Sequence, residues 1–304
     1  MKSEPDAPAV GGAPQGRAPH RSFRRVIGRI PVGLAPLAIF LALFLLWPAL
    51  GVIASAVQPV RDGERPALIE AASGQYLGTI LQSVRLSAIT AGLGAVFGTL
   101  IAAATVAIGR DGWLRSVVTG YSAVAANLGG IPLAFAFTAA LGFQGLYTKL
   151  LSGAGIDLYG TGFKISNFAG IVVVYLYFQV PLMTIVMLPA IDGLKREVRE
   201  AALVHGATPS QYWMRVGAPI LTPAFLGGAV LLFANAFAAY ATAYALSSGA
   251  SRLVSVQIRF FLQGETITGK ANLGYALAAW MIAVMSSAMW IYVVLRRRSE
   301  RWRS

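Results

Sequence analysis

The run Glu200-Ala201-Ala202-Leu203-Val204-His205-Gly206 is followed, ten residues later, by Val216-Gly217-Ala218-Pro219. It sets one carboxylate beside two small side chains and a helix-stopping glycine, in a polar loop between two hydrophobic stretches. That combination suits contact with another macromolecule. Catalysis has little to work with elsewhere. There is no cysteine, and the only histidines, His20 and His205, are far apart in sequence. Thiol chemistry is therefore unavailable, and neither a metal cluster nor a nucleophile–base set can be assembled. No catalytic residue, metal site or cofactor is expected.

One motif imitates a nucleotide site. Gly264-Glu265-Thr266-Ile267-Thr268-Gly269-Lys270-Ala271 nearly matches a phosphate-binding loop. It lacks the Ser or Thr that must follow the Lys to hold magnesium, and no strand evidently precedes it. A turn-rich loop is the expectation, and the chain has no ATPase site of its own.

The elements that must carry the Glu200 loop are set by composition. Of 304 residues, 56% are hydrophobic and only 12% are charged, about half the charged share of a soluble domain. The apolar residues lie in runs long enough to cross a bilayer, which requires about 20 residues. The fold class is an all-α membrane protein, because backbone groups in lipid must be satisfied within each segment. Six transmembrane helices are expected: Pro31–Val57, Leu86–Ile108, Val117–Leu141, Phe168–Leu188, Ile220–Leu246 and Leu273–Leu295. Residues 1–30 read as a disordered basic cytoplasmic tail, 31–57 as the first transmembrane helix, 76–295 as a core of five further helices, and 296–304 as a second basic tail.

The net charge of +13 does not imply nucleic acid, because its distribution tracks topology. The two termini and the 109–116 and 189–219 loops hold 17 of the 25 Lys and Arg. The positive-inside rule then puts both termini in the cytoplasm, with contact to anionic membrane lipids as a secondary consequence. The 58–82, 142–167 and 247–272 segments read as external loops.

No acidic residue falls inside an expected span, nor does any Lys or Arg, with Arg85 at the edge of the second. Proton-coupled transporters usually need such groups as relays, so their absence argues against that class. The uncharged polar residues that stand out within spans are Asn127, Tyr175, Tyr177, Gln179, Asn235, Tyr240, Thr242 and Tyr244; the leading candidates for a translocation path are Tyr175, Tyr177, Gln179, Asn235, Tyr240 and Tyr244. The bland alternative is that each bonds a neighbouring helix. Tyr240 and Tyr244 share a helix face, while Thr242 points away. Gly94, Gly98 and Ala102 form a small-residue face for close packing, within the subunit or in a dimer. Pro132 and Pro181 should kink or open their helices.

In the 189–219 loop, Asp192 is a candidate N-cap for a helix over Leu194–Val204, and Gly206 stops it. Thr208-Pro209-Ser210-Gln211 has the form of a capping box with Pro at the first helical position. A second short helix should run from Pro209 to about Val216 and end near Gly217 and Pro219. Tyr212 and Trp213 put aromatic anchors on it.

This loop resembles the Glu-Ala-Ala loop of inner-membrane permeases in binding-protein-dependent ABC importers. The family pattern is Glu-Ala-Ala, three residues, Gly, nine residues, Ile, one residue, Leu-Pro. Glu200, Ala201, Ala202, Gly206 and Pro219 match it, Val216 stands for Ile and Ala218 for Leu. The similarity covers roughly Tyr76–Val294. The stretches Asn235–Leu246 and Leu253–Ile258 are similar to the spermidine/putrescine-type branch, and relatives that carry thiamine, iron or phosphonates share much of that second match. The resemblance implies a type I ABC importer permease-like fold with a cytoplasmic coupling-helix loop, in the inner membrane. It implies that the loop docks on cytosolic ATP-binding subunits. The other implied partners are a second permease subunit, forming a heterodimer, and a periplasmic or lipid-anchored substrate-binding protein. Glu200 would be the charged contact, Ala201 and Ala202 would allow close approach, and Gly206 would permit the bend. The cargo would be a small solute such as a polyamine, moved with ATP hydrolysed elsewhere. The rival expectation is a self-sufficient secondary transporter or channel.

Overall fold

In the computed structural model, residues 34–60, 65–109, 112–194, 196–263 and 270–301 are described. The proposed tail 1–30 lies outside them, as does most of the phosphate-loop imitation. Contacts divide the chain into a unit ending at Ala49 and a second from Leu50 to Ser304. In the first unit the described chain is helical from Ala35. A wide turn over Ala42–Leu46 lets the Trp47 N–H reach back to the Ala42 carbonyl. Pro48 explains that turn: its missing N–H would leave an ordinary helical carbonyl unpaired. Phe40, Phe44, Leu45 and Trp47 are exposed, an apolar surface suited to lipid. Helix α1 is the whole stretch Ala35–Val57.

In the second unit the helices are α2 (Ala67–Ala71), α3 (Gly74–Ala107), α4 (Trp113–Asn127), α5 (Gly130–Leu141), α6 (Leu146–Gly153) and α7 (Phe168–Asp192). They are followed by α8 (Arg196–Val204), α9 (Pro209–Ala238), and then α10 (Ala241–Ser247), α11 (Val254–Leu262) and α12 (Ala271–Arg301). Among the described residues, six helical stretches are long and apolar enough to cross a membrane, as expected.

Several expected boundaries move. The 58–82 segment is not a plain loop: it holds α2 and the first turns of α3, so Arg85 lies well inside a helix rather than at its edge. The 142–167 and 247–272 segments contain α6 and α11. The expected third span is broken at Leu128-Gly129, and the apolar stretch that qualifies instead is Gly130–Gly153. Pro132 therefore does not kink a span. It sits in the first turn of α5, where its missing N–H costs nothing. Pro181 does not break α7, which runs on through it. The expected fifth span is also interrupted, at Ala239-Tyr240 between α9 and α10.

The core is a seam between α3, α7 and α9, and its small residues are what allow it. A Cβ on Gly94 would stand 2.9 Å from the Gln179 Cβ. One on Gly98 would stand 2.6 Å from the Val180 carbonyl oxygen and 2.5 Å from the Met183 Cβ. One on Gly228 of α9 would meet the Met183 Sδ at 2.6 Å. Ala102, Met183, Met187 and Leu232 are fully buried there. The small-residue face of α3 thus packs within the subunit. Thr184 reinforces the seam by donating to the Gly98 carbonyl at 3.2 Å.

Candidate functional site

The exposed loop after α7 is held by local hydrogen bonds. Asp192 does not cap α8; it is the last residue of α7 and pairs with Arg115 at the start of α4. The Arg115 Nη1 donates to the Asp192 Oδ1 at 3.3 Å, alongside a shorter contact between Nη2 and Oδ2. Helix α8 begins at Arg196 and ends at Val204. Gly206, with φ +79°, ends it. The Gly206 N–H donates to the Leu203 carbonyl at 2.9 Å and the Ala207 N–H to the Ala202 carbonyl at 3.0 Å. Those two bonds are the Schellman arrangement, which needs a residue at positive φ. The spacing from Ala202 to Gly206 therefore has a geometric cause. On α8, positions 197, 200, 201 and 204 share one face, and all are exposed. Val204 is 85% exposed, unusual for a valine outside a membrane span.

The capping box forms as expected. The Gln211 N–H donates to the Thr208 Oγ1 at 3.2 Å, and the Thr208 N–H to the Gln211 Oε1 at 2.9 Å. The second short helix does not end near Gly217, however. It passes through a wide turn at Trp213–Gly217 and continues into α9. Pro219 accounts for the wide turn, as Pro48 does in α1. A Cβ on Gly217 would lie 2.7 Å from the Trp213 ring, so glycine lets the indole fold back. Trp213, Leu100, Met187, Leu221 and Phe225 surround an apolar cleft of about 460 Å³. The loop is thereby continuous with the α3–α7–α9 seam.

A second site lies where the two interrupted helices meet. The Gly130 N–H donates to the Thr242 Oγ1 at 2.8 Å, and that hydroxyl contacts the Gly130 carbonyl at 3.3 Å. The Ala239 carbonyl, freed by the break before α10, accepts from the Tyr175 hydroxyl at 2.9 Å and the Ser255 hydroxyl at 3.3 Å. Backbone groups freed at a buried helix break require such partners. Between the breaks is a cleft of about 340 Å³ lined by Asn127, Gly130, Phe178, Asn235, Tyr240 and Thr242.

The six path candidates do not form one surface. Asn235 and Tyr240 share the cleft. Tyr244 lies against Tyr240, ring centroids 5.4 Å apart. Tyr175 and Gln179 are fully buried, and the Gln179 Nε2 donates to the Thr90 Oγ1 at 3.2 Å. Tyr177 packs its ring on Phe137 at 5.5 Å and lines a different, apolar cleft with Tyr121.

Residues 94–301 match the family described as "Binding-protein-dependent transport system inner membrane component". The chain belongs to that family. It is a multi-pass membrane protein and the permease subunit of an ABC importer. This permease is 25% identical over 135 residues to a putative ABC transporter permease protein from a Caldicellulosiruptor strain, covering 44% of the chain and 96% of that relative. It is 23% identical over 154 residues to a trehalose/maltose transport system permease from Thermococcus litoralis, covering 50% of the chain and 52% of the relative. It is 30% identical over 142 residues to a molybdenum transport system permease from Mycobacterium tuberculosis, covering 46% of the chain and 49% of the relative. The permease thus spans about half the length of the latter two. Its fold is similar to that of a bacterial ABC transporter involved in alginate import, with TM-score 0.65, 20% identity and coverage of 88% and 94% of the two chains.

Two further polar residues that stand out in the apolar runs, Thr242 and Asn127, also belong here: Thr242 seals one break and Asn127 lines the cleft. Gly129-Gly130 followed by Pro132 is a helix stop and restart signature that could have located the first break. Arg259 of α11, whose guanidinium lies over the Tyr240 and Tyr244 rings, was missed, and no local signal marks it.

Proposed function

We propose that this permease receives mechanical work through α8 and the start of α9 from separate cytosolic ATP-binding subunits. It pairs with a second permease subunit and takes its cargo from a substrate-binding protein. The observation that carries the reading is the exposed face of α8, where Glu200, Ala201 and the nearly bare Val204 stand together outside any span. A carboxylate with small and apolar neighbours suits docking in a groove: Glu200 supplies a charge-assisted contact, and Ala201 and Ala202 permit close approach. Gly206 sets the angle at which α8 leaves for α9. Both termini and this loop share the cytoplasmic side, in keeping with the distribution of basic residues. Residues 31–57 add a first span to a core over 76–295, with basic tails at 1–30 and 296–304.

The narrower expectation of a polyamine cargo loses its physical footing at Tyr240 and Tyr244. Those rings would have to receive an ammonium group, and they already face a guanidinium. A binding assay on the partner binding protein against polyamines and oxyanions tests the cargo directly.

The coupling reading is tested by Glu200→Arg and Gly206→Val, each made separately in the assembled importer. Both should lower co-purification of the ATP-binding subunit and ATP-driven uptake by about tenfold or more, the scale of losing a buried charge contact. Normal association and uptake in both variants would discard the proposal. Uphill uptake by the permease alone in vesicles would favour the self-sufficient transporter.

A further inference from the structure

We propose that Arg259 makes the cleft between the two helix breaks selective for anionic cargo. This rests on the reading of the chain as an importer permease.

Arg259 lies on α11, half-buried. Its guanidinium carbon sits 4.5 Å from the Tyr244 ring centroid and 5.3 Å from that of Tyr240. One Nη1 hydrogen goes to the Tyr240 hydroxyl, and the Nε donates to the Gln263 Oε1 at 2.6 Å. A guanidinium has five N–H donors, so these two contacts leave three uncommitted. Among the described residues one ion pair is found, Arg115–Asp192, and no carboxylate neutralises Arg259. Tyr240 is also a wall of the cleft. The positive charge is therefore one side chain removed from the space where Asn127 and Asn235 offer amides and where the helix breaks expose backbone.

Three consequences follow from the chemistry. The aromatic faces that would bind a cation by its charge are occupied by a cation already. A second positive charge would meet repulsion in surroundings less polarisable than water. An oxyanion would meet attraction, and the planar donor fork matches carboxylate, sulfonate and phosphate geometry.

The absence of cysteine from the chain allows a test that does not require the cargo to be known. In the assembled importer in lipid nanodiscs, Asn235→Cys places one thiol in the cleft, and Ser152→Cys places one on the exposed surface of α6 as a control. Each is labelled with the sulfonatoethyl and the trimethylammonioethyl methanethiosulfonates, and rates are normalised to a free thiol. The Asn235→Cys thiol should favour the anionic reagent. Adding Arg259→Gln should lower the anion-to-cation rate ratio by about tenfold, the size expected for removing one nearby charge. Arg259→Lys should keep most of it, because the charge remains. The Ser152→Cys ratio should not respond to either change, which shows that the effect is local to the cleft. A cationic preference in the parent overturns the proposal. So does an equal ratio with Gln and with Lys, because Arg259 would then be only a stacking residue. Association with the ATP-binding subunit, measured on the same samples, reports separately on the permease reading.

Discussion

At Gly206 the backbone turns through hydrogen bonds that reach three and five residues back. At Gly130 it turns through a bond to Thr242, 112 residues away. The coupling loop and the cleft are both interruptions of helix, and both use glycine at positive φ. One interruption is self-contained and exposed, and the other exists only because a distant helix break supplies its partner. The loop can therefore act as a rigid body that another protein pushes. The cleft can exchange partners as helices shift, because the bonds that close it, from Gly130 to Thr242 and from Tyr175 to Ala239, join segments distant in the chain.

The largest effect is expected where both regions share a foundation, the α3–α7–α9 seam. Gly98→Leu would force a side chain into the Val180 carbonyl and Met183, with contacts below 3 Å from the first added atom. Overpacking usually costs about 1–3 kcal/mol, and a backbone oxygen in the way puts this variant at or beyond the upper end. Loss of the folded subunit from membranes, followed by solubilisation and size-exclusion, checks it. If the variant accumulates and transports normally, the two regions do not depend on that seam.

Next in size are the bonds that close the cleft. Thr242→Val keeps the shape but leaves the Gly130 N–H without its acceptor, a loss of about 1–3 kcal/mol. Tyr175→Phe should cost less, because Ser255 still donates to the Ala239 carbonyl. Both should reduce uptake while leaving association with the ATP-binding subunit intact, whereas the loop variants lower both. Thermal unfolding and co-purification, read together, decide whether the two regions separate in this way.

That separation also governs what could be read from sequence. The loop was legible because caps are local. Thr208-Pro209-Ser210-Gln211 and Gly206 specify their own hydrogen bonds, and those bonds are present. The six apolar stretches were legible because lipid demands length and composition. The junction at Pro219 was not, because a wide turn lets a proline sit inside a continuing helix. Asp192 was misread as a cap because its true partner, Arg115, is 77 residues away. The cleft was only half-visible. Asn235 and Tyr240 stood out as polar residues in apolar runs, but Tyr175 and Gln179 stood out equally and serve as buried hydrogen-bond donors. Polarity in a span identifies a group that needs a partner, and only the fold says whether that partner is a helix or a solute.

Gly206→Ala is the milder break on the loop side. At φ +79° a Cβ costs about 1 kcal/mol, and nothing stands within 4 Å of it. The fold should survive and the angle between α8 and α9 should loosen. A few-fold drop in uptake per ATP hydrolysed, with unchanged expression, is the expected result. An unchanged ratio would mean that the turn geometry does not transmit force.

The smallest effect on stability, and the one that best sharpens the contrast, belongs to Arg115 and Asp192. Asp192 ends the helix that leads into the coupling loop. Arg115 begins α4, whose other end, Asn127, lines the cleft. Fifteen residues of helix make a strut of roughly 22 Å between the base of one region and the wall of the other. The pair is partly exposed, 14% and 20% for the two side chains, so solvent screening keeps its contribution to stability small. Its role in transmission can be larger, because it fixes where one end of the strut is held. Arg115→Gln should leave expression and ATPase association unchanged and lower uptake per ATP by about twofold to fivefold, the lower end of what one residue between two sites contributes to their coupling. The charge swap Arg115→Asp with Asp192→Arg should recover part of that loss, whereas either swap alone should be worse than Arg115→Gln. If the double swap behaves as the sum of its single changes, the pair is an ordinary surface contact, and the loop moves the cleft through the α3–α7–α9 seam alone.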